Sequence, residues 1–176
     1  MNVLIIGSGA REHAFCWKVK ESKNCNKLYV APGNAGTAKI AKNIDISISN
    51  FQEIKEVILT KKISLLIIGP EIPLIDGLTD FIKRDSALNS VLVLGPSQKG
   101  SMLEGSKDFS KEFMFRHNIP TASYKTFDTS THKQGLDYLD KIPPPYVLKA
   151  DGPAAGKGVL ILKELSKAKE ELSNML

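Results

Sequence analysis

Four short apolar runs, at residues 3–6, 28–31, 64–68 and 91–94, alternate with helical stretches along the N-terminal part of the chain. Each run is too short for a helix and apolar at nearly every position, which suits a parallel strand buried on both faces. The helical stretches are 12–20, 51–61 and 74–83. Asn50 stands as an N-cap before the second, with Glu53 in the capping-box position. Ile54, Val57 and Ile58 form its core-facing stripe. Repeated β-α-β order predicts an α/β fold: an open, Rossmann-like parallel sheet with helices on both faces. Ligands of such sheets gather at the carboxyl ends of the strands. The turns 7–13, 32–37, 69–74 and 95–97 are all expected at that edge.

The first of these turns, Gly7-Ser8-Gly9-Ala10-Arg11-Glu12-His13, joins a strand to a helix. Glycines there let the backbone approach an anion at the helix N-terminus. A dinucleotide site also requires glycine or alanine where Glu12 stands, and an acidic residue closing the second strand. Residues 28–31 run instead into Pro32-Gly33-Asn34-Ala35-Gly36, so a nicotinamide-dependent oxidoreductase is disfavoured. Two readings stay open: a phosphate-binding turn, or glycines that only permit tight strand–helix packing.

A second glycine-rich segment, residues 149–158 (KADGPAAGKG), lies between the apolar runs 146–149 and 159–162. Strand, loop and strand make a hairpin whose amides and lysines suit the covering of polyphosphate. A P-loop is excluded. Gly152 to Gly158 reads G-x-x-x-G-K-G, one residue short, Gly158 replaces the Ser or Thr that ligates Mg²⁺, and a strand follows where a helix should begin.

A domain boundary is expected near Gly100, giving an N-terminal α/β domain at 1–101, a helical linker at 102–122 and an incomplete second α/β domain at 123–176. Residues 106–117 read as a helix with Phe109, Phe113 and Met114 on its buried side. Beyond it come a strand at 124–127, a helix at about 131–141, the stiff Pro143-Pro144-Pro145 entry to the hairpin, and a helix-like segment at 163–176.

The chain resembles the N-terminal part of the phosphoribosylamine–glycine ligase (glycinamide ribonucleotide synthetase) family of the ATP-grasp superfamily. The resemblance rests on residues 3–13 (VLIIGSGAREH), 31–37 (APGNAGT), 69–74 (GPEIPL), Gly95-Pro96, 103–107 (LEGSK), 119–122 (IPTA) and 149–159 (KADGPAAGKGV). These motifs run in the family's order and span essentially the whole chain. The resemblance implies a pre-ATP-grasp domain followed by the truncated start of an ATP-grasp domain. It also implies ATP-dependent coupling of glycine to 5-phosphoribosylamine through glycyl phosphate. By the same resemblance Lys107 and Lys149 contact the ATP phosphates, and Gly152, Gly156, Lys157 and Gly158 form a lid over them. Gly9, Arg11, Asn34, Gly36 and Glu71 line the phosphoribosylamine side. Pro153 stands where the family usually has an aliphatic residue, and its fixed φ would limit lid motion.

Family members run to more than twice this length, so the chain is expected to be a fragment that is inactive alone. The Mg²⁺ or Mn²⁺ ligands are expected in the missing C-terminal part, with no catalytic residue and no metal ligand here. The alternative is a module that only binds a sugar phosphate or nucleotide weakly. Blander roles stay open for several residues: Lys107 solubilising a helix start, Glu71 capping a helix, Asp151 facing water, His13 serving structure.

Composition fits that picture. The net charge is +5, but the lysines are scattered, without the basic runs or interleaved aromatics of a nucleic-acid surface. Neither a signal peptide nor an apolar stretch of membrane-spanning length is apparent. Cys16 and Cys25 lack metal-like companions and read as free thiols. A cytoplasmic monomer acting on small molecules, without nucleic acid or membrane, is the expectation.

Overall fold

Strand β1 (Asn2–Gly7) is the middle strand of a five-stranded sheet in a computed structural model that describes residues 1–154 and 157–176. The other strands are β2 (Lys27–Pro32), β3 (Lys42–Asn43), β4 (Leu65–Ile68) and β5 (Leu92–Leu94). Their order is β3-β2-β1-β4-β5, and every pairing is parallel, with Val3 opposite both Leu28 and Leu65. Helices α1 (Ala10–Lys20), α2 (Phe51–Thr60), α3 (Glu71–Ile75) and α4 (Leu78–Arg84) connect them.

The unbroken apolar character of β1 follows from its two covered faces. Leu4 and Ile6 join Leu66, Ile68, Ile54, Ile58, Leu78 and Ile82 in one core, beneath α2 and α4. Val3 and Ile5 join Leu28, Val30, Ile67 and Cys16 of α1 in the other. Leu4, Ile5 and Ile6 have no exposed surface, and each such side chain contributes roughly 1.5–3 kcal/mol. Asn50 caps α2 by accepting from Glu53 N, as its position predicts. Cys16 and Cys25 are free thiols, and burial pushes the Cys16 thiol above its ordinary range.

By contact the chain divides into two units, Met1–Met102 and Leu103–Leu176. Helix α5 (Gln98–Gly105) spans that division. The second unit holds α6 (Lys107–Arg116), α7 (His132–Leu139), the antiparallel hairpin β6 (Tyr146–Lys149) and β7 (Val159–Leu162), and α8 (Leu165–Met175). Tyr146 and Leu148 turn inward onto Leu139, Ala168 and Leu172.

Two sequence expectations are corrected. The helix expected at 74–83 is two helices, because Gly77 adopts φ +92° between them and its N–H turns back to Leu74 O. Residues 124–127 form no strand; Tyr124, Lys125 and Thr126 are exposed, and the only sheet described in this unit is the β6–β7 pair. Phe109, Phe113 and Met114 lie on the half-buried side of α6, as expected, while Phe115 is exposed, and no residue of that helix is buried outright. The short strand β3 was not foreseen, since Lys42-Asn43 carries no apolar signal.

Candidate functional site

All five strands of the first unit run the same way, so their carboxyl ends share one edge. The turns after β1, β2 and β4 are tied to one another there. Gly33 N donates to Gly7 O at 3.1 Å, and Gly69 N donates to Ile6 O at 3.1 Å. Asn34 Nδ2 reaches Ser8 O at 2.9 Å. Arg11, from the first turn of α1, donates to Gly69 O at 2.7 Å and to Glu71 Oε1 at 2.8 Å. The Arg11 guanidinium holds the Glu71 carboxyl below its ordinary range, helped by a backbone hydrogen bond. Gly9, Arg11, Asn34, Gly36 and Glu71 are thus brought to one rim, with α1 opening from it.

The local chemistry differs from an open ring of amides. Asn34 Oδ1 accepts from Gly36 N at 2.7 Å and Thr37 N at 2.9 Å, an Asx turn that closes the second loop on itself. Asn43 secures it from β3, donating to Asn34 O at 2.9 Å. The His13 ring packs on Gly36, where a Cβ would fall 2.5 Å from Cε1. The Gly9 N–H is taken by Glu12, whose Oε2 accepts it at 2.6 Å. Sequence reasoning took Glu12 as a mismatch to a dinucleotide turn and as part of the 3–13 motif, without giving it a role of its own. The signal that would have found its role is its place at the third helical position after Gly9, where a glutamate caps backward onto the N-cap amide.

In the second unit the site forms around the start of α6 and the hairpin loop. Ser106 caps α6 by accepting from Phe109 N at 3.1 Å. Asp151, two residues beyond β6, accepts from Lys107 N at 2.6 Å and from Ser106 Oγ at 2.9 Å. Burial raises the Asp151 pKa, but hydrogen bonds from Ser106 and from the amides of Asp108, Lys107 and Gly152 outweigh it, and the net shift is downward. Lys107 Nζ donates to Gly152 O at 2.8 Å, so one cation and the loop entrance are held together. Asp151, left open by the sequence, therefore ties the loop to the helix.

Lys149 ends β6 opposite Val159, with its side chain exposed, and Ala150 N to Gly158 O at 2.8 Å extends the ladder by one rung. Gly158 admits no side chain, because a Cβ there would lie 2.5 Å from the Ala154 Cβ. Lys157 N donates to Ala154 O, and Gly156 lies outside the described residues. Among the described residues, no group of three or more His, Cys, Asp or Glu is arranged to hold a metal ion. No described helix is long and apolar enough to cross a membrane.

Residues 1–104 match the family model described as "Phosphoribosylglycinamide synthetase, N domain", and residues 105–176 match that of its ATP-grasp (A) domain. A phosphoribosylamine–glycine ligase of Caldanaerobacter subterraneus is 42% identical over the whole chain, which covers 41% of that relative. One from Haemophilus influenzae is 44% identical, with 100% of this chain and 40% of the relative covered. The crystal structure of a phosphoribosylamine–glycine ligase from Thermotoga maritima matches with a TM-score of 0.74 and 30% identity, over 97% of this chain and 38% of that one. The chain therefore spans about 40% of the length of the curated relatives it matches. On the evidence of both matched domains, the chain belongs to the phosphoribosylglycinamide synthetase family.

Proposed function

We propose that this chain is the N-terminal part of an ATP-dependent ligase that joins glycine to 5-phosphoribosylamine in purine synthesis. The observation that carries the reading is the Lys107–Gly152 contact, which sets a cation against a glycine-rich hairpin in a chain of this family. Coupling a carboxylate to an amine is uphill in water. A glycine carboxylate oxygen attacks the γ-phosphorus of ATP, ADP departs, and glycyl phosphate forms. The amine then attacks the acyl carbon, phosphate leaves, and the nitrogen loses a proton.

In this reading Lys107 and Lys149 meet the negative charge of the phosphates. The loop bearing Gly152, Gly156, Lys157 and Gly158 excludes water from the acyl phosphate. The rim bounded by Gly9, Arg11, Asn34, Gly36 and Glu71 receives the sugar phosphate, with the Arg11 fork exchanging Glu71 for phosphate oxygens while the Gly9 and Gly36 amides stay with Glu12 and Asn34. The described residues supply no cluster fitted to a divalent cation. In this reading a divalent cation, Mg²⁺ or Mn²⁺, would accompany the ATP and supply charge for its phosphates. The protein acts as a cytoplasmic monomer on small molecules.

A chimera tests the proposal. This chain replaces the corresponding N-terminal segment of the Haemophilus influenzae relative, and ADP release is followed with glycine and phosphoribosylamine. Release that depends on both substrates is expected. A folded chimera that hydrolyses ATP without regard to either substrate, or not at all, refutes the reading if the parent relative is active in the same assay.

A further inference from the structure

Glu12 is 4% exposed, although its carboxylate stands at the ligand-facing edge of the sheet. It lies against three glycines drawn from two sequence-distant turns. A Cβ on Gly7 would fall 2.6 Å from its Cγ, one on Gly9 2.9 Å from its Oε2, and one on Gly69 2.7 Å from its Cδ. The glycines of this edge thus make room for a side chain of the protein itself. That side chain also takes the Gly9 N–H, the N-cap amide of the eleven-residue helix α1. In a glycine-rich dinucleotide turn the same amides and the same gap admit a pyrophosphate.

We propose that Glu12 determines specificity as an internal anion. By volume and by charge it closes the β1–α1 turn to pyrophosphate and confines phosphate recognition to the Arg11 side chain on the outer rim. Two physical effects act together. An amide already donating to a carboxylate has no hydrogen left for a second acceptor. A second anion within a few ångströms of a buried carboxylate is also repelled. The closure stands on this geometry alone, whereas the placement of phosphate on the rim rests on the sugar-phosphate reading given above.

Calorimetry with inorganic pyrophosphate, and separately with ribose 5-phosphate, tests both parts on the 176-residue chain and on its Glu12→Gln and Glu12→Ala variants. Each variant is first checked for the cooperative melting of the parent. Glu12→Gln keeps the shape and an acceptor for Gly9 N but removes the charge; Glu12→Ala removes both charge and volume. Pyrophosphate affinity is expected to rise about threefold or more in the first and about tenfold or more in the second, modest steps for a neighbouring unit charge. A folded Glu12→Gln variant that binds pyrophosphate no better than the parent overturns the proposal, even if Glu12→Ala does not fold. Absence of ribose 5-phosphate binding by the parent counts against the rim alone and leaves the pyrophosphate comparison decisive for Glu12.

Discussion

Substituting Gly69 with alanine should destabilise the first unit through a single neighbour, the Glu12 side chain. The φ of Gly69 lies outside the left-handed region, so alanine meets no backbone penalty there. Its methyl group, however, would stand 2.7 Å from both Cγ and Cδ of Glu12, where ordinary contact begins at 3.4 Å. Glu12 is held where it stands by the hydrogen bond that its Oε2 accepts from Gly9 N. Either the core absorbs the overlap, at about 1–3 kcal/mol, or the carboxylate swings out and its hydrogen bond to Gly9 N is lost, at about 1.5–3 kcal/mol. A cost near 1–3 kcal/mol is expected, a fall in Tm of at least about 4 °C for a unit of this size. Urea unfolding followed by far-UV dichroism and by the fluorescence of Trp17, the chain's only tryptophan, measures it. The mechanism is isolated by a double-mutant cycle. With Glu12→Ala in place the atoms that the new methyl meets first are gone, so Gly69→Ala should cost less than about 0.5 kcal/mol and the coupling should exceed about 0.5 kcal/mol. Equal costs in the two backgrounds would refute the reasoning.

Other consequences follow from the same contacts. Asp151→Ala removes the acceptor for Lys107 N and Ser106 Oγ; it should cost about 1 kcal/mol, the scale of a lost helix cap. It should also quicken tryptic cleavage after Lys149 or Lys157 by about fivefold, a free-energy release of similar size. Asp151→Asn, which keeps one acceptor oxygen, should fall between, and an unchanged cleavage rate in both variants would break the link between the loop and α6. Acid should destabilise the protein in a defined direction. Glu71, held low by Arg11, and Asp85, held low by Lys55, both have folded pKa values below their ordinary 4.5 and 3.8. Their contribution is therefore present above those values and lost as pH falls through the lower, folded ones. The urea midpoint should hold between about pH 7 and 5 and drop below about pH 4.5, and Lys55→Met should shallow that drop; a midpoint that rises on acidification would contradict the assignment.

Much of the frame was legible because its signals are local. The run at 3–6 announced a strand covered on both faces, and β1 is buried along that run because helices cover it from both sides. The Asn50 cap and the stripe of Ile54, Val57 and Ile58 appear as read. What failed had one local cause and one distant one. The pattern of apolar residues carried a helix through Gly77, but that residue's left-handed conformation ended one helix and began another. Residues 124–127 look like a strand in isolation, yet a strand exists only where another offers its hydrogen bonds, and β6 pairs with β7.

The order of residues alone determined the class of fold, the edge of the sheet where the glycine turns gather, and the family, because periodicity and motif spacing are properties of the chain taken in line. Only the tertiary structure decided which groups at that edge remain open to a ligand. Gly9, Gly36 and Glu71 look available in the sequence, but Glu12, Asn34 and Arg11 reach them first. Asp151 and Lys107, 44 positions apart, become partners only when the hairpin returns to the start of α6. A hydrogen-bonding group has few partners it can hold at once, and which one it takes depends on distances that the fold alone fixes.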